Sequence, residues 1–374
     1  MERSILIGNG INIAFSKNDD YKNFSIIERM QNNIKDNRYD DVFSKQLSPN
    51  ELLELISKLN LFFKDMLKGI GSLKLTENSD ELITLLDIAK RYEKKPKEIM
   101  NIGIEDYFFV MKMVFNKVGD SQTPINLLYD GLKYLFLDAI YNDGQIETLY
   151  KTMNSFSKEL DIYDNIFTVN YDTNLDKIAK KTVYHLHGSF DVLDDTYKPE
   201  TIIGHLAQQK EHPPTYIKNK KHMYSNAIMA FSGNRKLEII NTYSNANYAA
   251  DILLKRMSDS DDLEAQNKFS ELKNSTEEND ICVYQIILAK LKHPELKNTE
   301  YPIQEFKSIS DELTIIGMSP NNDSHIFKMI NDNPNIKRVI YFSASDDDTE
   351  AAQKIIKKPI EIRNVYKYWK RLNI

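Results

Sequence analysis

Four short segments of this 374-residue chain carry residue types that can do chemistry. The first is Ile5-Leu6-Ile7-Gly8-Asn9-Gly10-Ile11-Asn12, an apolar run that ends in a glycine loop ahead of a helix-like stretch. Such a loop offers backbone N–H donors and a helix N-terminus to a phosphate. It lacks the third glycine of the dinucleotide fingerprint, so by itself it does not specify a nucleotide. The second is Phe167-Thr168-Val169-Asn170-Tyr171-Asp172, with an amide and a carboxylate two residues apart at the end of an expected strand. Open α/β sheets bind ligands at that position, although Asp172 serves equally well as a helix N-cap. The third is His185-Leu186-His187-Gly188-Ser189. Strand alternation places both histidines on one face, and Gly188 opens the backbone beside His187. Imidazole titrates near neutrality, which suits His187 to general-base work. A metal reading needs more ligands, and no cysteine or nearby acidic residue at ligand spacing completes one. The fourth is Ile315-Ile316-Gly317-Met318-Ser319-Pro320-Asn321-Asn322-Asp323, again a strand, a glycine, a hydroxyl and a carboxylate leading into a helix. Alone it reads equally as a structural turn.

These residues need a scaffold that brings chain segments far apart in sequence to one place. The chain has only 12 glycines, about 3% against the usual ~7%, so their positions carry information. Gly8, Gly10, Gly188, Gly204 and Gly317 each lie at or just after a short apolar run. Any one of them is ordinary turn punctuation, but the recurrence points to strand ends that carry ligand loops. Buried parallel strands read as such runs, here at residues 5–7, 165–170, 183–186, 313–316 and 339–342, with Ile202-Ile203 a short further candidate. Helical periodicity fills residues 50–160, opening at the start signal Ser48-Pro49-Asn50 and continuing through 80–92, 104–118, 124–141 and 145–160. Strands that alternate with helices predict an α/β fold with a Rossmann-like parallel sheet. On this reading residues 1–30 and 161–374 form the nucleotide-binding domain. Residues 31–160 form a mainly helical insertion that serves as a lid, packing layer or oligomer surface, and a second insertion occupies about 206–275.

Composition narrows the function classes. A length of 374 residues suggests about two domains, and 41% hydrophobic residues are ample for a core. The net charge of −6 argues against a protein that coats nucleic acid. Lys218-Asn219-Lys220-Lys221-His222 is a small basic cluster that reads as a solvated loop, so no direct nucleic-acid binding is expected. No stretch reaches the ~18 apolar residues of a membrane span, and the first apolar run is too short for a signal-peptide core. A cytoplasmic location with no membrane contact is expected. The single cysteine, Cys282, rules out an internal disulfide and a multi-cysteine zinc site. It reads as a small buried hydrophobe, and Trp369 reads as a packing residue. His205 is either close to the site or a surface-loop histidine.

Taken in order, the four segments resemble the sirtuin-like NAD-binding fold, in particular the branch found in bacterial anti-phage defence that includes AbiH-like abortive-infection proteins. Those share a strand ending in Gly-Asn-Gly, then Thr-x-Asn-Tyr-Asp, then His-Gly-Ser, then a late Gly-x-Ser followed by Asp. Tyr21-Lys22-Asn23-Phe24 is similar to the Tyr-x-x-Phe after the first glycine loop in AbiH-like members. The resemblance implies cleavage of the nicotinamide–ribose bond of NAD+, with NAD+ as substrate, no prosthetic group and no metal. It implies that Asn170 and His187 are catalytic. It also implies that Gly8, Asn9, Gly10, Asp172, Gly188, Gly317, Ser319 and Asp323 contact the nucleotide. Asn9 stands where sirtuins carry alanine, the arginine-bearing segment of deacylases is absent, and the four-cysteine zinc module is impossible. These departures favour hydrolysis by water over protein deacylation. An enzyme that depletes its host's NAD+ must be gated, and the resemblance points to a homo-oligomer or a HerA-type ATPase partner. The alternative is a nucleotide-sensing or assembly subunit without turnover.

Overall fold

The computed structural model describes residues 1–16, 20–40, 47–69, 76–93, 102–118, 125–191, 225–228, 232–292 and 301–374. Six strands form one sheet: β1 (Arg3–Ile7), β2 (Asn165–Thr168), β3 (Val183–His185), β4 (Asp311–Ile316), β5 (Ile336–Ser343) and β6 (Ile360–Asn364). Their order is β3-β2-β1-β4-β5-β6 and every neighbouring pair is parallel. This is the Rossmann strand order, and its direction of winding reverses between β1 and β4. Register is tight at that point, with Ile7 facing Thr168 on one side and Ile316 on the other.

The period-2 rule explains how these short strands hold. Ile5, Ile7, Ile166, Ile316, Ile340 and Phe342 enter one core, together with Phe15, Phe156, Leu160 and Trp369. Leu6, Phe167, Leu313, Ile315, Val339 and Tyr341 enter the opposite core, with Phe306, Ile326, Phe327 and Ile330. Both faces of the sheet are therefore covered, as an all-parallel sheet requires. Trp369 is buried against Phe15 and Phe156. Cys282 is buried in a separate cluster formed by the helices Gly233–Met257, Leu263–Leu272 and Glu278–Lys292.

Between β1 and β2 every described element is helical. The helices Asn23–Lys35, Pro49–Gly69, Ser79–Arg91, Ile104–Val118 and Ile125–Tyr141 share a core built on Met30, Phe63, Tyr107, Phe108 and Phe136. The second starts with a capping box: Ser48 N–H donates to Glu51 Oε2 at 2.8 Å, and Glu51 N–H donates back to Ser48 Oγ at 3.4 Å. This core gathers residues from Tyr21 to Ile146 together with Phe190, Ala227 and Ile239, whereas Met153, Phe156 and Leu160 pack on the sheet.

Three sequence expectations change. Residues 145–160 are not one helix: a 3₁₀ stretch, Asn142–Thr152, precedes the helix Asn154–Leu160, with Asp143 and Gly144 at φ of +52° and +83°. The strand at 339–342 is not the last, because β6 follows it. Ile360-Glu361-Ile362-Arg363 alternates apolar with charged residues on a half-exposed sheet edge, so it shows no continuous apolar run. The strand expected at 165–170 ends at Thr168, and the short helix Asn174–Ile178 follows it. Ile202, Ile203, Gly204, His205 and the basic cluster at 218–222 lie outside the described residues. No helix among the described residues is long and apolar enough to cross a membrane.

Candidate functional site

The C-terminal ends of β1, β2, β3 and β4 converge on one cavity, with an empty volume of about 1140 Å³ including the part open to solvent. Gly8, Asn9 and Asn12 come from the β1 end, and Asn170, Tyr171 and Asp172 from the β2 end. His187 follows β3, and Gly317, Ser319 and Asp323 follow β4. The helical segment closes the other side with Tyr21, Glu105, Asp106, Ile140 and Ile146.

Asn170 is buried, and its Nδ2 donates only a long 3.4 Å bond to the Gly8 carbonyl. Its backbone is fixed more firmly. Asn170 N–H donates to Thr168 Oγ1 at 3.0 Å, and His185 Nδ1–H donates to the Asn170 carbonyl at 2.9 Å. The other nitrogen of His185 donates to Asp176 Oδ2 at 3.0 Å. Both partners are acceptors, so the ring satisfies both only as imidazolium. Burial opposes that charge, but Asp176 and the Asn170 carbonyl outweigh it and raise the His185 pKa. The two histidines therefore have different jobs. The strand ends at His185, and His187 beyond it is not on a continued strand face.

His187 is 1% exposed, and its Nε2 lies 2.9 Å from Nε2 of His325. Its Nδ1 lies 3.9 Å from Asp323 Oδ1. Burial, then the Lys236 ammonium, then His325 hold the His187 pKa well below the usual imidazole range, so His187 is neutral. Burial and Lys236 do the same to His325. Asp323 is pushed up to about 7, mainly by burial and then by the Glu105 charge.

Asp172 is enclosed by donors. Asn12 Nδ2 donates to Oδ2 at 2.6 Å, and Asn174 donates to Oδ1 from N–H at 3.1 Å and from Nδ2 at 2.6 Å. Burial nevertheless leaves its pKa raised. Asn9 spans two elements: its Nδ2 donates to the Tyr21 carbonyl at 3.2 Å, and its Oδ1 accepts from Asn12 at 3.3 Å.

Two of the expected nucleotide-contacting glycines, Gly10 and Gly317, also join the backbones of two loops, and Gly317 lines the cavity. Gly10 N–H donates to the Gly317 carbonyl at 2.8 Å, and a Cβ on Gly10 would lie 2.6 Å from Gly317 Cα. Gly317 has φ +72°, and its own added Cβ would lie 2.9 Å from the Gly8 carbonyl oxygen. The β1 and β4 loops thus cross backbone to backbone at the switch point, which places Gly10 in the crossing rather than on the cavity wall. Gly188, at φ +85°, admits residues 225–228: a Cβ there would meet the Asn226 carbonyl oxygen at 2.3 Å. Ser189 N–H donates to Asn226 Oδ1 at 2.8 Å, and Ile228 N–H donates to the His187 carbonyl at 3.0 Å.

Sequence reasoning did not find His325, Glu105 or Lys236. Lys236 is fully buried and lies 2.5 Å from Glu105 Oε2, and the Tyr171 hydroxyl donates to Glu105 Oε1. Asp106 accepts from Ser232 Oγ at 2.6 Å and from the Tyr92 hydroxyl at 2.7 Å, and pairs with Arg91 at 2.5 Å. The sequence signal for His325 is its place two residues after Asp323 at a helix start. That spacing completes the acidic and imidazole set that His187 lacks when only its own strand is considered. No protein-family model, curated protein or solved structure matches the chain.

Proposed function

We propose that the chain is a sirtuin-like NAD+ hydrolase that cleaves the nicotinamide–ribose bond. Its role would be that of an effector of abortive, anti-phage defence that depletes NAD+. The observation that carries this reading is the meeting of Asn170 and His187 on one cavity with Gly8 and Ser319, at the switch point of a sheet in Rossmann order.

Departure of nicotinamide leaves an oxocarbenium-like ribose, so the chain's task is to orient the sugar and accept a proton. The Asn170 amide, held loosely by Gly8, is available to position water or a ribose hydroxyl. Neutral His187 is in the form that accepts a proton, which contributes roughly 10²–10⁴-fold. The loop ends around Gly8, Asn9 and Ser319 offer polar groups to the phosphates, and the helical wall excludes bulk water. Without a four-cysteine module, water is the acceptor in place of a protein amide. A homo-oligomer or a HerA-type ATPase remains the proposed source of gating, and the site needs no nucleic acid or membrane.

A second reading, nucleotide binding without turnover, is favoured by the enclosure of His187, whose Nε2 is already engaged by His325. Incubating the purified protein, alone and in its assembled form, with NAD+ separates the two. Release of nicotinamide and ADP-ribose is expected, with at least about 10²-fold loss in both Asn170→Ala and His187→Ala. NAD+ binding by the assembled protein without nicotinamide release establishes the second reading.

A further inference from the structure

His187 at the end of β3, Asp323 at the end of the β4 loop and His325 in the first turn of the helix Ser324–Asp332 form one buried cluster. One ligand atom from each lies within 4.8 Å of the others. Each histidine is 1% exposed. Their Nε2 atoms are 2.9 Å apart, so one nitrogen presents a lone pair to the other. Nδ1 of His325 is buried with no hydrogen-bond partner among the described residues. A buried imidazole bonded only to another imidazole is under-satisfied, and such groups call for an explanation, a bound ion among them. The neighbouring charges are already matched: Lys236 is paired with Glu105, and Arg91 with Asp106.

We propose that His187, Asp323 and His325 bind a divalent transition-metal ion of the zinc type. Zn–N bonds of ~2.0–2.1 Å set two nitrogens of a tetrahedral site about 3.3 Å apart, which a small outward rotation of the two rings provides. Two imidazoles and one carboxylate suit zinc or ferrous iron, whereas calcium and magnesium take oxygen ligands. Three protein ligands leave a coordination position open, and two of them, His187 and Asp323, line the cavity with Asn170. A His187 whose lone pair is on a metal cannot also take the proton in NAD+ cleavage, so the two roles belong to alternative states of the site. Metal binding is therefore measured directly, and its result does not depend on whether NAD+ is cleaved.

The test uses the full chain stripped with a chelator. Zn2+ is titrated in competition with a chromophoric chelator, and Co2+ is added separately for its visible absorption. One equivalent of Zn2+ is expected, along with Co2+ bands that Zn2+ abolishes. His325→Ala should weaken Zn2+ binding by at least about 10²-fold, and Asp323→Asn by about 10-fold or more, with circular dichroism confirming the fold. Asp332→Asn, an exposed carboxylate at the far end of the same helix, should bind as the wild type does. Should the ligand variants fail to fold, the wild-type stoichiometry and Co2+ spectrum decide alone. Substoichiometric binding by the wild type overturns the proposal and leaves the pair as an imidazole–imidazole hydrogen bond. Unchanged binding by folded His325→Ala, or equal loss in Asp332→Asn, overturns it as well.

Discussion

At the residue scale, Asp172 and His185 are held by opposite logic, and both can be tested through stability. Asp172 is a buried carboxylate whose pKa is raised. The stability it contributes is present below its unfolded pKa and is lost as pH rises through the folded value. Asn12 Nδ2 also donates to Asn9 Oδ1, so Asn12 is held in this orientation and an amide at position 172 turns N–H toward one of its two donors. Asp172→Asn should cost about 1–3 kcal/mol, and the cost should shrink as pH rises and the wild type loses the contribution of its protonated carboxyl. Asp172→Ala strands the Asn12 and Asn174 donors and should cost about 1–3 kcal/mol in denaturant titrations. His185 has a raised pKa as a cation with two acceptors. Its contribution is full below the ordinary imidazole value and is lost as pH rises through the elevated folded value. His185→Phe should cost about 2 kcal/mol near pH 6, and the difference from wild type should shrink in titrations repeated toward alkaline pH. Because His185 also donates to the Asn170 carbonyl, it holds the backbone of a residue that lines the cavity.

At the element scale, the crossing of the β1 and β4 loops holds the switch point together. Gly8 N–H donates to the Ile316 carbonyl at 3.0 Å and Gly10 N–H to the Gly317 carbonyl at 2.8 Å, so the two loops continue the sheet's pairing past the strands. A side chain at Gly317 meets both a positive φ and the Gly8 carbonyl. Gly317→Ala should lower stability by about 1–3 kcal/mol, seen as a drop in the thermal midpoint. It should also weaken ligand binding more than a surface change of equal stability cost, because Gly8 and Ser319 flank the crossing. A variant with wild-type stability would show that the loops do not pack this closely.

At the scale of the whole molecule, the helical segment is joined to the sheet by buried polar contacts over the site as well as by apolar packing. Glu105 on the helix Ile104–Val118 reaches both Lys236 on the helix Gly233–Met257 and Tyr171 beside Asn170. Removing the carboxylate leaves the fully buried Lys236 uncompensated, whereas Glu105 is partly exposed. Lys236→Met and Glu105→Gln should each destabilise, the double variant should recover part of the loss, and the cycle should return a coupling of about 1–3 kcal/mol. Additive losses would show that the pair does not join the two layers. Much of this organisation was legible in the sequence. The runs at 5–7, 165–170, 313–316 and 339–342 mark strands because burial on both faces demands continuous apolar residues, although β2 ends at Thr168. The helical stretch before residue 160 shows its 3.6-residue period. The edge strand β6 was hidden because its half-exposed face admits Glu361 and Arg363. The kink at Asp143 and Gly144 was hidden because periodicity does not register backbone sign.

The sequence by itself determined which loops follow strands, and in a parallel sheet all strand ends fall on one edge. The gathering of Gly8, Asn170, His187 and Ser319 on one side of the molecule follows from local patterns alone. Only the tertiary structure decided the strand order, and with it the close crossing of the loops at Gly10 and Gly317. It also decided that His187 meets His325 from 138 residues away, while His185 turns to Asp176. The reason is physical. Apolar periodicity is a property of neighbours in the chain. The charge state, enclosure and partners of a side chain depend on burial and on groups brought in by distant segments, and no local spacing encodes them.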